Sequence, residues 1–279
     1  MHGDALVDGS ANNTAWLNER SCQFGDGLFE TIAVVDGETC LWDAHMERLS
    51  VGCRRLRLPL PDFVRLREEC RELCAGRARA VLKLVWSAGS SERGYRRPAD
   101  AVPRRILRIS AWPGGPQRRP WVMRVCAHRL SENPVLAQIK HLNRLDQVMA
   151  SNEWEASEID EGLMLGQDGR VVCGTKSNLF IQQAGRLRTP AVDTAGIAGV
   201  VRALVLDAGT HADRSVEVGR ISLDEVYAAD AVFLTSSLIG VVRVGRFEQT
   251  AYDMQFEEHP AMVVARRLCH LAEPASPPI

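Results

Sequence analysis

Three side-chain amines draw attention in this 279-residue chain. Lys83, Lys140 and Lys176 are its only lysines, and the other 31 of its 34 basic residues are arginine. A GC-rich coding sequence would explain the scarcity but need not account for all three positions retained. An amine can shed its proton and attack a carbonyl carbon, whereas a guanidinium cannot. Lys83 lies in the alternating run Val81-Leu82-Lys83-Leu84-Val85, where it either snorkels or pairs with an acid. Lys176 sits in the polar turn Gly174-Thr175-Lys176-Ser177-Asn178 and reads as a solvated charge. Lys140 ends an apolar approach through Leu136 and Ile139, just before His141-Leu142-Asn143-Arg144-Leu145, where a helix is expected to begin. Partial desolvation at such a junction favours the free amine that forms a carbon–nitrogen double bond.

Other chemistries find little support. The eight cysteines include no CxxC pair, and Cys70 and Cys74 share a helix face as small core residues. The seven histidines show neither HxxxH nor HExxH spacing, so no metal site is expected. A net charge of −1 offers no basic field for nucleic acid or an anionic membrane surface. No apolar run reaches membrane-spanning length, and the opening Met1-His2-Gly3-Asp4-Ala5 has no basic-then-apolar pattern. The expectation is a cytoplasmic enzyme acting on a small molecule.

The elements that must position these residues read as α/β, an α/β front half followed by a strand-rich, barrel-like second half. Strands are expected over 28–35 and 38–42, joined by the turn Asp36-Gly37, and Asp43 is expected to cap a helix through Met46, Leu49, Cys53 and Leu56. A helix opened by Asp62 and strands over 80–87 and 105–111 follow. The boundaries expected are an N-terminal domain over 1–113, a linker over 114–120 and a C-terminal domain over 121–279. In the second part, a strand over 121–127 precedes a helix over 143–157 and short strands near Leu163, Phe180 and Leu187. Helices over 200–208 and 260–271, a capping box at Ser222–Glu225 and strands over 232–235 and 241–244 complete the pattern.

The run Pro134-Val135-Leu136-Ala137-Gln138-Ile139-Lys140-His141-Leu142-Asn143-Arg144-Leu145 resembles the Schiff-base lysine segment of the fold-type-IV, class IV aminotransferase-like, pyridoxal-phosphate enzymes. Within them it is most similar to the aminodeoxychorismate lyases. Gln23-Phe24-Gly25-Asp26-Gly27-Leu28-Phe29-Glu30-Thr31 resembles the glycine-rich opening motif, and His45-Met46-Glu47-Arg48-Leu49 the helix whose arginine holds phosphate. The likeness runs from about Asn18 to Val244, and several ordered motifs are far more specific than one. It implies a two-domain fold with a C-terminal pseudobarrel, pyridoxal 5′-phosphate as cofactor and a homodimer. The implied reaction converts 4-amino-4-deoxychorismate to 4-aminobenzoate and pyruvate, toward folate. The rivals are a class IV aminotransferase for branched-chain or D-amino acids and a non-catalytic paralogue.

By that resemblance Lys140 carries the cofactor and moves the proton, and Arg48, the Val200 and Val201 N–H groups, Ser237 and Leu238 bind its phosphate. Arg202 need not touch it and reads as a surface arginine. Thr31 occupies the position tied to lyase activity, though the same threonine suits any strand. Arg93-Gly94-Tyr95 matches a loop that takes a substrate carboxylate across the dimer; otherwise it is an exposed basic loop. Arg129 and Asn143 match without an assigned task. Two residues depart from the pattern. Cys173 stands where the family has a glutamate on the pyridine nitrogen, which disfavours transamination more than elimination. Ala88 stands where arginine is common.

Overall fold

The computed structural model describes residues 18–113, 120–155, 158–211 and 215–269. Nearly all of the expected linker, the last residues of two expected helices and the proline-rich tail lie outside them. The chain divides into two compact units. The first comprises 1–113 and the short strip 139–143; the second comprises 114–138 and 144–279.

In the first unit, α1 (Arg20–Phe24) leads into β1 (Gly27–Val35) and β2 (Glu38–Thr39). Two helices follow, α2 (Trp42–Leu56) and α3 (Phe63–Cys74), then strands β3 (Arg79–Ser87) and β4 (Arg104–Ala111). The strands form an antiparallel sheet in the order β2-β1-β3-β4. Leu28, Ile32, Leu82 and Leu84 are buried in it, and α2 contributes Met46, Leu49 and Cys53 to the core. Asp62 caps α3 as expected, accepting from the Val64 and Arg65 N–H groups at 3.0 and 3.1 Å. Cys70 and Cys74 are both buried on its inner face.

Two expectations fail here. β2 stops at Thr39, because after the Cys40 N–H bonds to the Ala33 carbonyl the chain turns at Leu41 through a left-handed conformation into α2. Leu41, not Asp43, is therefore the N-cap, and Asp43 lies in the first turn, where its charge still suits the helix dipole.

The second unit begins with β5 (Trp121–Arg129) and α4 (Leu145–Ser151). Four strands follow: β6 (Glu161–Leu165), β7 (Val171–Gly174), β8 (Asn178–Gln183) and β9 (Arg186–Pro190). Next come α5 (Val200–His211), β10 (Glu217–Gly219), α6 (Leu223–Tyr227) and β11 (Ala231–Ser236). β12 (Gly240–Phe247), β13 (Thr250–Ala251) and α7 (Pro260–Leu268) complete it. The sheet order is β10-β9-β8-β11-β12-β5-β6-β7, with β13 on β12. β5 runs parallel to both β12 and β6. β6 is buried on both faces, with Leu163 and Leu165 packed among Trp121, Val232 and Phe247 and Met164 among Cys126, Val172 and Cys173. The Ser222–Glu225 capping box forms at α6. The helix expected over 143–157 is only α4, since residues 143–144 and 152–155 are not helical.

Candidate active site

β1 organises the chemistry of the first unit. Alternation puts Phe29 and Thr31 on one face and Glu30 on the other. The strip 139–143 lies along this strand. The Phe29 N–H donates to the Lys140 carbonyl at 2.9 Å, and the Leu142 N–H to the Gly27 carbonyl at 3.0 Å. Gly27 permits the approach, since a Cβ there would lie 2.6 Å from the Trp86 carbonyl oxygen and 2.9 Å from Leu142 Cδ1. Asn143 adds a bond from Nδ2 to the Gly25 carbonyl at 3.1 Å. The half-buried Lys140 thus holds its ammonium 4.2 Å from the Phe29 ring centre, on the face that Thr31 shares. Lys83 is opposite Thr31, with Nζ 5.3 Å from the same ring, and is exposed. Lys140 is accordingly fixed by extended backbone pairing, not by the helix start expected there.

On the other face of β1, the Glu30 carboxylate is buried. It accepts from Arg48 Nε at 2.9 Å and from Arg48 Nη2, and meets His45 Nδ1 at 2.7 Å. Burial pushes Glu30 up, but the Arg48 charge and the bonds from His45 and Arg48 outweigh it and leave the group at about 2. Burial pushes His45 down, and the charges of Arg48 and Lys140 reinforce that against the pull of Glu30. His45 is therefore neutral, with Nδ1 donating to Glu30 and Nε2 buried without a hydrogen-bond partner. Glu30 and His45 carried no role in the sequence reading. An acid within the apolar run of β1 was the available signal.

In the second unit, Asn178 of β8 pairs with Thr235 of β11, and its Nδ2 donates to the Ile197 carbonyl at 2.9 Å. These links collect the start of α5 and the turn carrying Ser237 and Leu238 at one end of the sheet. Gly199 precedes α5, and a Cβ there would overlap Asn178 Oδ1. The N–H groups of Val200 and Val201 belong to the first helical turn, where no intrahelical acceptor exists. Thr235 Oγ1 is buried without a hydrogen-bond partner. Arg202 is not at the surface: it is buried and donates through Nη2 to the Pro190 carbonyl at 3.1 Å.

Cys173 is fully enclosed on β7, and burial, with Glu161 adding to it against the Arg144 charge, pushes the thiol up to about 12. Glu161 escaped the sequence reading. Buried on β6, it accepts from the Thr175 N–H at 3.0 Å, Thr175 Oγ1 at 2.5 Å and Ser177 Oγ at 2.7 Å, so it shapes the turn after Cys173. Lys176 on that turn is exposed, with Nζ donating to the Asp160 carbonyl at 2.9 Å. Arg93 and Tyr95 are exposed on the loop after β3, and Ala88 is buried beside it. Arg129 donates to the Cys126 carbonyl at 2.9 Å.

The profile of the amino-transferase class IV family matches residues 27–247. The chain belongs to that family. Among its relatives, an aminodeoxychorismate lyase of Vibrio harveyi is 31% identical over 94% of this chain and 97% of its own length. The crystal structure of 4-amino-4-deoxychorismate lyase from Pseudomonas aeruginosa superposes with a TM-score of 0.84 at 37% identity, covering 95% of each chain. A hypothetical aminotransferase of Mycobacterium tuberculosis in its PLP-bound form shares the fold, with a TM-score of 0.75 at 20% identity over 95% of this chain and 94% of that one.

Proposed function

We propose that this chain is a pyridoxal-phosphate-dependent lyase that splits 4-amino-4-deoxychorismate into 4-aminobenzoate and pyruvate. The observation that carries the reading is the face of β1 that Phe29 and Thr31 share, with the Lys140 amine lying against the Phe29 ring. The likeness to two lyases over nearly the whole chain supports it.

The residues present fit the cofactor. Gly199 lets the start of α5 approach Asn178, where a Cβ would overlap Oδ1, Thr235 offers a buried oxygen with no hydrogen-bond partner, and Lys140 supplies the amine. Arg48, the Val200 and Val201 N–H groups, Ser237 Oγ and the Leu238 N–H would hold the phosphate. Lys140 Nζ would hold the aldehyde carbon. Bound there, pyridoxal phosphate supplies an electron sink for charge developing on the amine-bearing carbon. Released from the aldehyde carbon when the substrate amine takes its place there, Lys140 Nζ would take the proton from the amine-bearing carbon, while Thr31 Oγ1 would donate a hydrogen bond to the ether oxygen leaving the neighbouring carbon. Arg93 and Tyr95 orient a substrate carboxylate, and the ring that remains is aromatic, which supplies much of the driving force.

Cys173 bears on the choice between lyase and aminotransferase. A thiol at about 12 stays neutral, and at the family's glutamate position it holds a proton on the ring nitrogen poorly. Transamination depends more on that proton than an elimination yielding an aromatic product does. The same proposal includes a cytoplasmic location and a homodimer. The exposed apolar face of α4, formed by Leu145, Val148 and Met149, supports the dimer.

The test is incubation of the purified holoenzyme with aminodeoxychorismate and no 2-oxo acid, with 4-aminobenzoate scored by chromatography. Equal amounts of 4-aminobenzoate and pyruvate are expected. A requirement for a 2-oxo acid would indicate the aminotransferase, and no turnover by a loaded enzyme the non-catalytic paralogue. Thr31→Val should slow pyruvate release by about a hundredfold, the scale of a lost proton donor, while cofactor absorbance is retained. Unchanged release would remove Thr31 from the mechanism.

A further inference from the structure

We infer that Arg20 is a positioning residue for the loop bearing Arg93 and Tyr95, and that it sets the geometry in which those groups meet a substrate carboxylate. This rests on the assignment of that loop to carboxylate recognition.

Arg20 is charged yet 2% exposed. Its fork is distributed over the loop. Nη1 donates to Ser91 Oγ at 2.8 Å and to the Gly94 carbonyl at 3.1 Å, and Nη2 to the Tyr95 carbonyl at 2.6 Å. Nε donates to Asp26 at 2.9 Å. The guanidinium carbon lies 4.9 Å from the Phe24 ring centre, and that ring packs 5.4 Å from Tyr95. Asp26 also receives Arg97, through Nε at 2.9 Å and through Nη2, and Arg97 Nη1 reaches the Leu56 carbonyl at 2.6 Å. One carboxylate therefore anchors two guanidiniums that grip the loop at both ends.

The residues between those anchors have no comparable support of their own. Positions 92–96 are exposed, and Tyr95 shows 87% of its surface. An aromatic ring left so exposed is held through its backbone, and two of the four Arg20 bonds go to carbonyls of that stretch. Holding the loop before substrate arrives removes an ordering cost that would otherwise weaken binding. Lysine could keep the charge against Asp26, but its single ammonium cannot reproduce a planar fork reaching three loop acceptors at once. Asp26 directly precedes β1, so the loop is anchored to a central strand of its own sheet and is presented as a fixed unit.

The test compares Arg20→Lys and Arg20→Met with Arg93→Ala in the holoenzyme. Arg20→Lys should raise KM for aminodeoxychorismate about tenfold while kcat stays within about twofold, as expected when ground-state positioning is lost. Cofactor absorbance should not change, and trypsin should cut the 93–97 stretch faster. Arg20→Met should show the same pattern more strongly; if it does not fold, Arg20→Lys decides. An unchanged KM in Arg20→Lys, with KM raised in Arg93→Ala, would overturn the role of Arg20 and leave the loop assignment standing. A fall in kcat and cofactor content at constant KM would equally overturn it, by marking Arg20 as merely structural. An unchanged KM in Arg93→Ala would sink the loop assignment and the Arg20 proposal with it.

Discussion

Enclosed within the first unit, the Glu30 carboxylate is held as an anion by Arg48 and His45 against a large desolvation penalty. A carboxylate whose folded value is about 2, against an ordinary 4.5, contributes stability that is fully present above the ordinary value and lost as pH falls toward 2. His45, held neutral by burial, acts in the same direction, because protonation in the histidine range favours the unfolded chain. Glu30→Gln should lower the unfolding free energy at pH 7 by on the order of 3 kcal/mol, the scale of breaking a buried ion pair. Urea unfolding at pH 7, 4 and 3 should show the gap between the two proteins closing as acid is added; a constant gap would contradict this. Lys140 could be singled out from three lysines because an amine in an arginine-rich chain is chemically distinct. Glu30 stands out as an acid in an apolar run, but its role, like those of His45 and Glu161, is set by partners on other elements.

Strand alternation, the Asp62 cap and the Ser222–Glu225 box were legible because each is a matter of neighbouring residues. The αL turn at Leu41 and the short α4 were not, since they follow from where the chain has to turn to pack. α5 offers an element whose function depends on its entry. Asn178 is fixed by its bond to the Ile197 carbonyl, so it cannot swing away from a new Cβ at position 199. Gly199→Ala should therefore shift the first turn of α5 and weaken pyridoxal phosphate binding by about tenfold, an effect of about 1.4 kcal/mol. Pyridoxal, which has no phosphate, is the control. Absorbance titrations with both compounds should show the loss only for the phosphorylated one, and an equal loss for both would place the damage elsewhere.

Across the whole chain, the proposed homodimer gives the apolar face of α4 a partner. Leu145, Val148 and Met149 are 71%, 50% and 53% exposed at helical spacing, an unusual arrangement for a free surface. Val148→Asp should shift sedimentation at micromolar concentration from dimer toward monomer and reduce turnover, because the Arg93–Tyr95 loop would no longer reach a neighbour. An unchanged dimer would move the interface away from α4. Among the described residues no helix is long and apolar enough to cross a membrane. By itself, the sequence determined the amine, the order of motifs and the period of most strands and helices, since these follow from side-chain chemistry and local backbone preference. Only the tertiary structure decided that the strip around Lys140 joins the first unit, that Arg202 is buried and that Arg20 grips a distant loop. The Asn143–Gly25 bond spans 118 positions, and contacts at such separations are selected by packing and by the need to satisfy buried polar groups, which no local pattern encodes.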